Sequence, residues 1–177
     1  DEWLHGLHHR ASMEPTPFPL ECQGPYRCVS DALQWIDGLH GSASETPFFL
    51  WLSFAEPHNP YQVPEPYYSL FPPQDLPPTA ADESALATKG FKYQWCRQQF
   101  EGAFPGFAED IPRARANYLG MLRLIDDQIR RFCEFLDASG LRENTILVFV
   151  ADHGDFVGEY GLVRKGPEAP EVLMRVP

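Results

Sequence analysis

The chain has 177 residues, enough for one compact domain or most of one. With 44% hydrophobic, 14% aromatic and 22% charged residues it is not an intrinsically disordered sequence, and no apolar run approaches the roughly 20 residues that a membrane-spanning helix needs. A net charge of −11 argues against nucleic acid and anionic membrane as partners, because phosphate recognition calls for a basic stripe.

The charge is uneven. Residues 1–60 hold eight acids and two bases, whereas residues 113–177 hold ten acids and nine bases, so the C-terminal third is near neutral and rich in Arg, and an anionic small substrate needs a local cationic site that overcomes the background field. The first residues, Asp1-Glu2-Trp3, show neither the basic nor the apolar region of a signal peptide, and without an initiator Met the sequence reads as trimmed or partial. Four cysteines, Cys22, Cys28, Cys96 and Cys133, form no C-x-x-C pair. Cys22 and Cys28 read as a disulfide in an exported protein or equally as separate thiols, which leaves the compartment open. His5, His8 and His9 cluster near the N-terminus in a segment without periodicity and are not read as a metal site.

In chain order, residues 1–26 form an irregular connection with three prolines at 15, 17 and 19. A helix is predicted from Cys28 to about Leu39, with Val29, Leu33 and Ile36 on one face, Ser30 or Asp31 near its start, and Gly38 and Gly41 at its end. A strand is predicted after Thr46 and Pro47. Its Phe48-Phe49-Leu50-Trp51-Leu52-Ser53-Phe54 is almost wholly apolar, as in a strand buried on both faces. Residues 57–78 hold eight of the 18 prolines and read as a stiff surface excursion, and no structure is assigned to residues 79–112. The clearest helix runs from about Pro112, placed in its first turn, to Asp137. Tyr118, Leu122, Ile125, Ile129, Phe132 and Leu136 form its apolar stripe, and Gly140 supplies the stop. A second buried strand follows at residues 145–150.

This alternation predicts an α/β fold, a mostly parallel sheet flanked by helices. The core would be residues 26–56 and 113–177, with residues 57–112 as a Pro-rich insertion. Both polar loops, one around His58 and one around Asp152, would leave the C-terminal ends of strands, where open α/β sheets bind ligands.

Asp152-His153-Gly154-Asp155 follows the second apolar run. Asp152 offers an oxygen and His153 a nitrogen to a metal, but the same residues also read as a capped turn with a surface histidine. His58, set between Pro57 and Asn59-Pro60, suits acid or base work near neutral pH. Taken by itself it reads first as a loop histidine bonded to backbone. Lys165, one of three lysines, is a compact charge suited to an anionic oxygen, or else a solvated surface residue. Asp126 and Asp127 are adjacent in the long helix, point in two directions, and are read as structural.

Context reweights these residues. Residues 152–165, Asp-His-Gly-Asp-Phe-Val-Gly-Glu-Tyr-Gly-Leu-Val-Arg-Lys, resemble the sulfatase pattern D-H-G-x-x-x-G-E-x-G-L-x-x-K. Gly140-Leu141-Arg142-Glu143-Asn144-Thr145 is similar to the family's turn ahead of a strand. His58-Asn59-Pro60-Tyr61 is similar to its H-x-P-[YF] segment, and Arg175-Val176-Pro177 to its R-V-P. The resemblance covers about residues 26–71 and 113–177. It implies the alkaline-phosphatase superfamily fold, incomplete at both ends, and metal-dependent hydrolysis of sulfate esters on a sulfated small molecule or glycan. It also implies a divalent metal bound by Asp152 and His153, with calcium first and magnesium or manganese as alternatives. His58 and Lys165 would contact the sulfate oxygens or the leaving oxygen. The imidazole ligand pulls the other way, since calcium and magnesium prefer oxygen.

No cysteine here matches the family's C-x-P-S-R or C-x-A-S-R nucleophile, and its early D-D metal pair is missing. The formylglycine made from that cysteine is therefore expected in a missing segment. The alternatives are a phosphonate or phosphodiester hydrolase of the same superfamily and a non-catalytic glycan-binding domain.

Overall fold

The computed structural model describes residue 7, residues 11–41 and residues 47–177. His5, His8, His9 and Thr46 lie outside the described residues. In chain order the α-helices are α1 (Gly24–Gly41), α2 (Tyr67–Leu70), α3 (Phe91–Ala103), α4 (Phe107–Ala138) and α5 (Glu171–Met174). Short 3-10 turns lie at Leu20–Cys22, Pro73–Asp75, Glu83–Thr88, Arg142–Asn144 and Glu159–Gly161.

The expected parallel sheet is not present. Among the described residues there is no strand ladder, only an isolated parallel bridge between Ala11 and Tyr61. Apolar and β-branched runs favour extended backbone, but a strand also needs a hydrogen-bonded neighbour. Among the described residues, 47–54 and 145–150 belong to no strand ladder. In the first run Phe48, Leu50, Leu52 and Phe54 pack against the core, while Phe49, on the other face, is 84% exposed. This run is thus covered on one face, not two. In the second run residues 146–150 are all exposed, Ile146 to 91%. The expected consequence is self-association. The 177-residue chain expressed by itself should elute as oligomers in size-exclusion chromatography, because a contiguous apolar patch with open backbone groups pairs with copies of itself. Lys at Ile146 and Val148 together should restore a monomer peak. A monomeric parent chain would contradict this.

The helices follow the sequence more closely. α1 starts earlier than predicted because the turn at Leu20–Cys22 leads into Gly24 and Pro25, and the Arg27 N–H donates to the Gln23 carbonyl at 3.1 Å. Ser30 is therefore interior and donates back to the Tyr26 carbonyl at 2.8 Å. α4 begins at Phe107, so Pro112 lies inside it, not in its first turn. Gly140 adopts a left-handed φ of 69° and the Leu141 N–H returns to the Leu136 carbonyl at 2.9 Å, the expected stop.

The buried face of α4 is rotated from the predicted stripe. Leu122 is 40% exposed, whereas Asn117, Gly120, Met121, Leu124 and Gln128 are buried with Ile125, Phe132 and Leu136. Two neighbours explain this. The C-terminal half meets α1 through Val29, Ala32 and Ile36, and the middle meets residues 61–70. At Gly120 a Cβ would stand 2.6 Å from the Tyr67 carbonyl oxygen, so only glycine permits that approach.

The Pro-rich stretch accordingly enters the interior. Tyr61, Val63 and Tyr67 join Phe107, Met121, Leu124 and Val163 in one core cluster. Asp127 accepts from the Tyr67 hydroxyl at 3.1 Å and pairs with Arg123 at 3.0 Å and Arg130 at 2.9 Å, a structural role as read from sequence. All four cysteines are free thiols.

Candidate active site

The loop after residue 150 is fixed by its backbone. The Gly154 N–H donates to the Leu173 carbonyl at 2.8 Å, and a Cβ at Gly154 would come 2.2 Å from the Val172 carbonyl oxygen. This contact explains the glycine of the D-H-G triplet. The Phe156 N–H donates to Arg164 at 2.8 Å, and Phe156, Leu162 and Leu173 form a buried cluster beneath the loop. Glu159 accepts from the Ala80 and Ala81 N–H groups, both at 2.9 Å, so this motif residue ties the loop to the chain segment ahead of α3.

On this base Asp152, His153 and Lys165 come together. The Asp152 carboxylate is 88% exposed and its Oδ1 accepts from the His153 N–H at 2.9 Å. His153 Nδ1 lies 2.7 Å from the Gly154 carbonyl oxygen, and Nε2 lies 2.7 Å from Lys165 Nζ. A carbonyl only accepts and an ammonium only donates, so both contacts select one tautomer, with the proton on Nδ1 and the lone pair on Nε2. That lone pair lies 3.5 Å from Asp152 Oδ2. Two donors at this separation suit one cation with bonds of about 2.0–2.6 Å. Lys165 now engages the nitrogen, which serves either the ammonium or a cation, not both. Among the described residues no three His, Cys, Asp or Glu side chains converge as a ligand set.

His58 is exposed, and its segment is tied to this loop by the hydrogen bond between Tyr61 and Asp155. Its Nδ1 bonds the Asn59 carbonyl oxygen at 2.9 Å, which leaves Nε2 for proton exchange. The Glu56–Pro57 and Asn59–Pro60 peptide bonds on either side of it are cis. Asp155 Oδ2 accepts from the Tyr61 hydroxyl at 2.8 Å, while Oδ1 accepts from the Val157 and Arg164 N–H groups at 2.9 and 2.8 Å. Burial raises the Asp155 carboxyl above its ordinary value, against these hydrogen bonds and the nearby charge of His58. Tyr61 is held in turn by Asn117 of α4, whose Nδ2 donates to the Tyr61 carbonyl at 2.9 Å and to the Ser12 carbonyl at 2.8 Å.

Tyr61, Asp155 and Asn117 thus hold the two segments together, and the sequence reading does not single them out. Tyr61 and Asp155 stand three and two residues from His58 and His153, which was the available signal. Nothing in the sequence marks Asn117 beyond an amide on an apolar helix face.

A family model for sulfatases matches residues 17–177. The chain belongs to the sulfatase family. It is 34% identical over 141 residues to an arylsulfatase of Clostridium perfringens, covering 74% of this chain and 27% of that protein. It is 28% identical over 180 residues to the multifunctional alkaline phosphatase superfamily protein PehA of Trinickia caryophylli, covering 93% and 34%. Among solved structures, the phosphonate monoester hydrolase of Agrobacterium radiobacter shares the fold with a TM-score of 0.71 at 23% identity, covering 92% of this chain and 33% of that one. The chain spans about a quarter to a third of the length of these relatives. Among the described residues no helix is long and apolar enough to cross a membrane.

Proposed function

We propose that these residues form part of a metal-dependent hydrolase of sulfate esters, with Asp152, His153, Lys165 and His58 as this chain's share of the active centre. The observation that carries the reading is the contact of Asp152, His153 and Lys165 on an exposed loop, joined to the His58 segment through Tyr61 and Asp155. Packing alone gives no reason to gather a carboxylate, an imidazole and an ammonium there.

Asp152 Oδ2 and His153 Nε2 would hold a divalent cation together with ligands outside these residues, calcium in the first instance and magnesium or manganese as alternatives. When bound, the cation stabilises negative charge on the ester oxygens. Lys165 Nζ adds a second positive charge beside the same oxygens. His58 Nε2 carries a proton to the leaving oxygen while Nδ1 stays on Asn59. The nucleophile, a formylglycine by family resemblance, would come from sequence outside these 177 residues, so this chain alone is expected to turn over nothing.

The second reading is a phosphonate or phosphodiester hydrolase of the same superfamily, suggested by the phosphonate monoester hydrolase of Agrobacterium radiobacter that shares the fold. Paired esters with one aryl leaving group separate the two. The full-length protein should show a higher kcat/KM for the aryl sulfate than for the aryl phosphonate monoester, and a chelator should abolish both. A preference for the phosphonate would favour the second reading.

A further inference from the structure

Lys165 belongs to two features at once. Its ammonium meets His153 Nε2, and the residue also lines an open groove of about 390 Å³ between α3 and residues 165–167. That volume lies within the range of small-molecule sites, about 300–1,000 Å³. Trp95, Gln99 and Ala103 recur every fourth residue of α3 and form one wall, Phe100 and Phe104 line it as well, and Pro167 lies opposite. The loop sits close against the helix, since a Cβ at Gly166 would come 3.2 Å from Cys96 Sγ. The two phenyl rings are braced by the Arg164 guanidinium, 5.6 and 5.7 Å from their centroids. Trp95 is 44% exposed, a large aromatic surface left open on the groove.

The lining has one charged group, Lys165, and one polar side chain, Gln99, set among aromatic faces. Such a groove matches a ligand with an anionic head and an apolar body. We infer that it binds the organic group of the ester, and that this group is an aryl or other apolar moiety rather than a sugar. The inference rests on the function proposed above: with the sulfate beside Lys165 and His153, the rest of the ester has this groove as its apolar neighbour. A polyhydroxylated ring would leave most of its hydroxyls facing carbon, and unpaired polar groups cost affinity.

The test uses full-length, metal-loaded protein with 2-naphthyl sulfate, methyl sulfate and glucose 6-sulfate. Trp95→Ala should raise KM for 2-naphthyl sulfate by about tenfold or more and leave kcat/KM for methyl sulfate nearly unchanged. Ala103→Trp, on an exposed helix position, should fill the groove and produce the same pattern by steric exclusion. Calorimetric binding of 2-naphthyl sulfate separates this inference from the reading beneath it. If no ester turns over yet 2-naphthyl sulfate binds and Trp95→Ala weakens it, the groove stands and the hydrolase reading falls. If esters turn over and neither variant alters the ratio of naphthyl to methyl sulfate, the groove falls and the hydrolase reading stands. A preference for glucose 6-sulfate, or an absence of both turnover and binding, also overturns the groove.

Discussion

Lys165→Ala in the full-length protein is expected to slow sulfate ester turnover by about 10²–10³-fold, the usual effect of removing one donor from a site of developing charge. Melting temperature should hardly move. The side chain is exposed and its polar contact is with His153 Nε2, and truncating such a lysine costs under about 0.5 kcal/mol. Cation content should persist, because the substitution frees the imidazole lone pair that Lys165 occupies. Kinetics and stability therefore separate the two roles of the residue. A marked loss of stability with unaltered turnover would make Lys165 a structural residue.

His58→Ala should show a dependence on the leaving group. An activated aryl sulfate departs as a stable phenolate and needs no proton, so it should lose little. An alkyl sulfate leaves as a strongly basic alkoxide, and there the loss should reach about 10²–10⁴-fold. The exposed position of His58 and its single-residue backbone bond to Asn59 make a fold defect an unsuitable explanation for such selectivity. Equal losses on both substrates would argue that His58 positions the ester without protonating it.

The local signals in the sequence read well where the information is local. Gly140 ends α4 because its left-handed backbone needs no neighbour to specify it. Asp152, His153 and Lys165 lie within fourteen consecutive residues, and the loop's own hydrogen bonds bring them into contact. The link between Tyr61 and Asp155 spans 94 positions and appears only once α4 holds the Tyr61 segment through Asn117. The buried face of α4 departs from its apolar stripe for a related reason. Apolar period alone put Leu122 inside, but two different neighbours pack on α4 and bury Asn117 and Gln128. The parallel sheet expected from the apolar runs is absent among the described residues, where neither run joins a ladder. Residues 146–150 are apolar, yet exposed and outside any ladder. Composition fixes what such a run tolerates and not what lies beside it.

The claim on which the rest depends is that Asp152 and His153 bind a divalent cation. Elemental analysis of purified full-length protein tests it most directly, comparing the natural sequence with Asp152→Ala and His153→Ala. Asp152 is exposed and bonds the backbone of its own neighbour, so its removal should leave the fold intact, as a melting curve would verify. The natural protein should carry close to one equivalent of calcium, magnesium or manganese, and each variant should carry far less. A full equivalent in both variants would contradict the assignment.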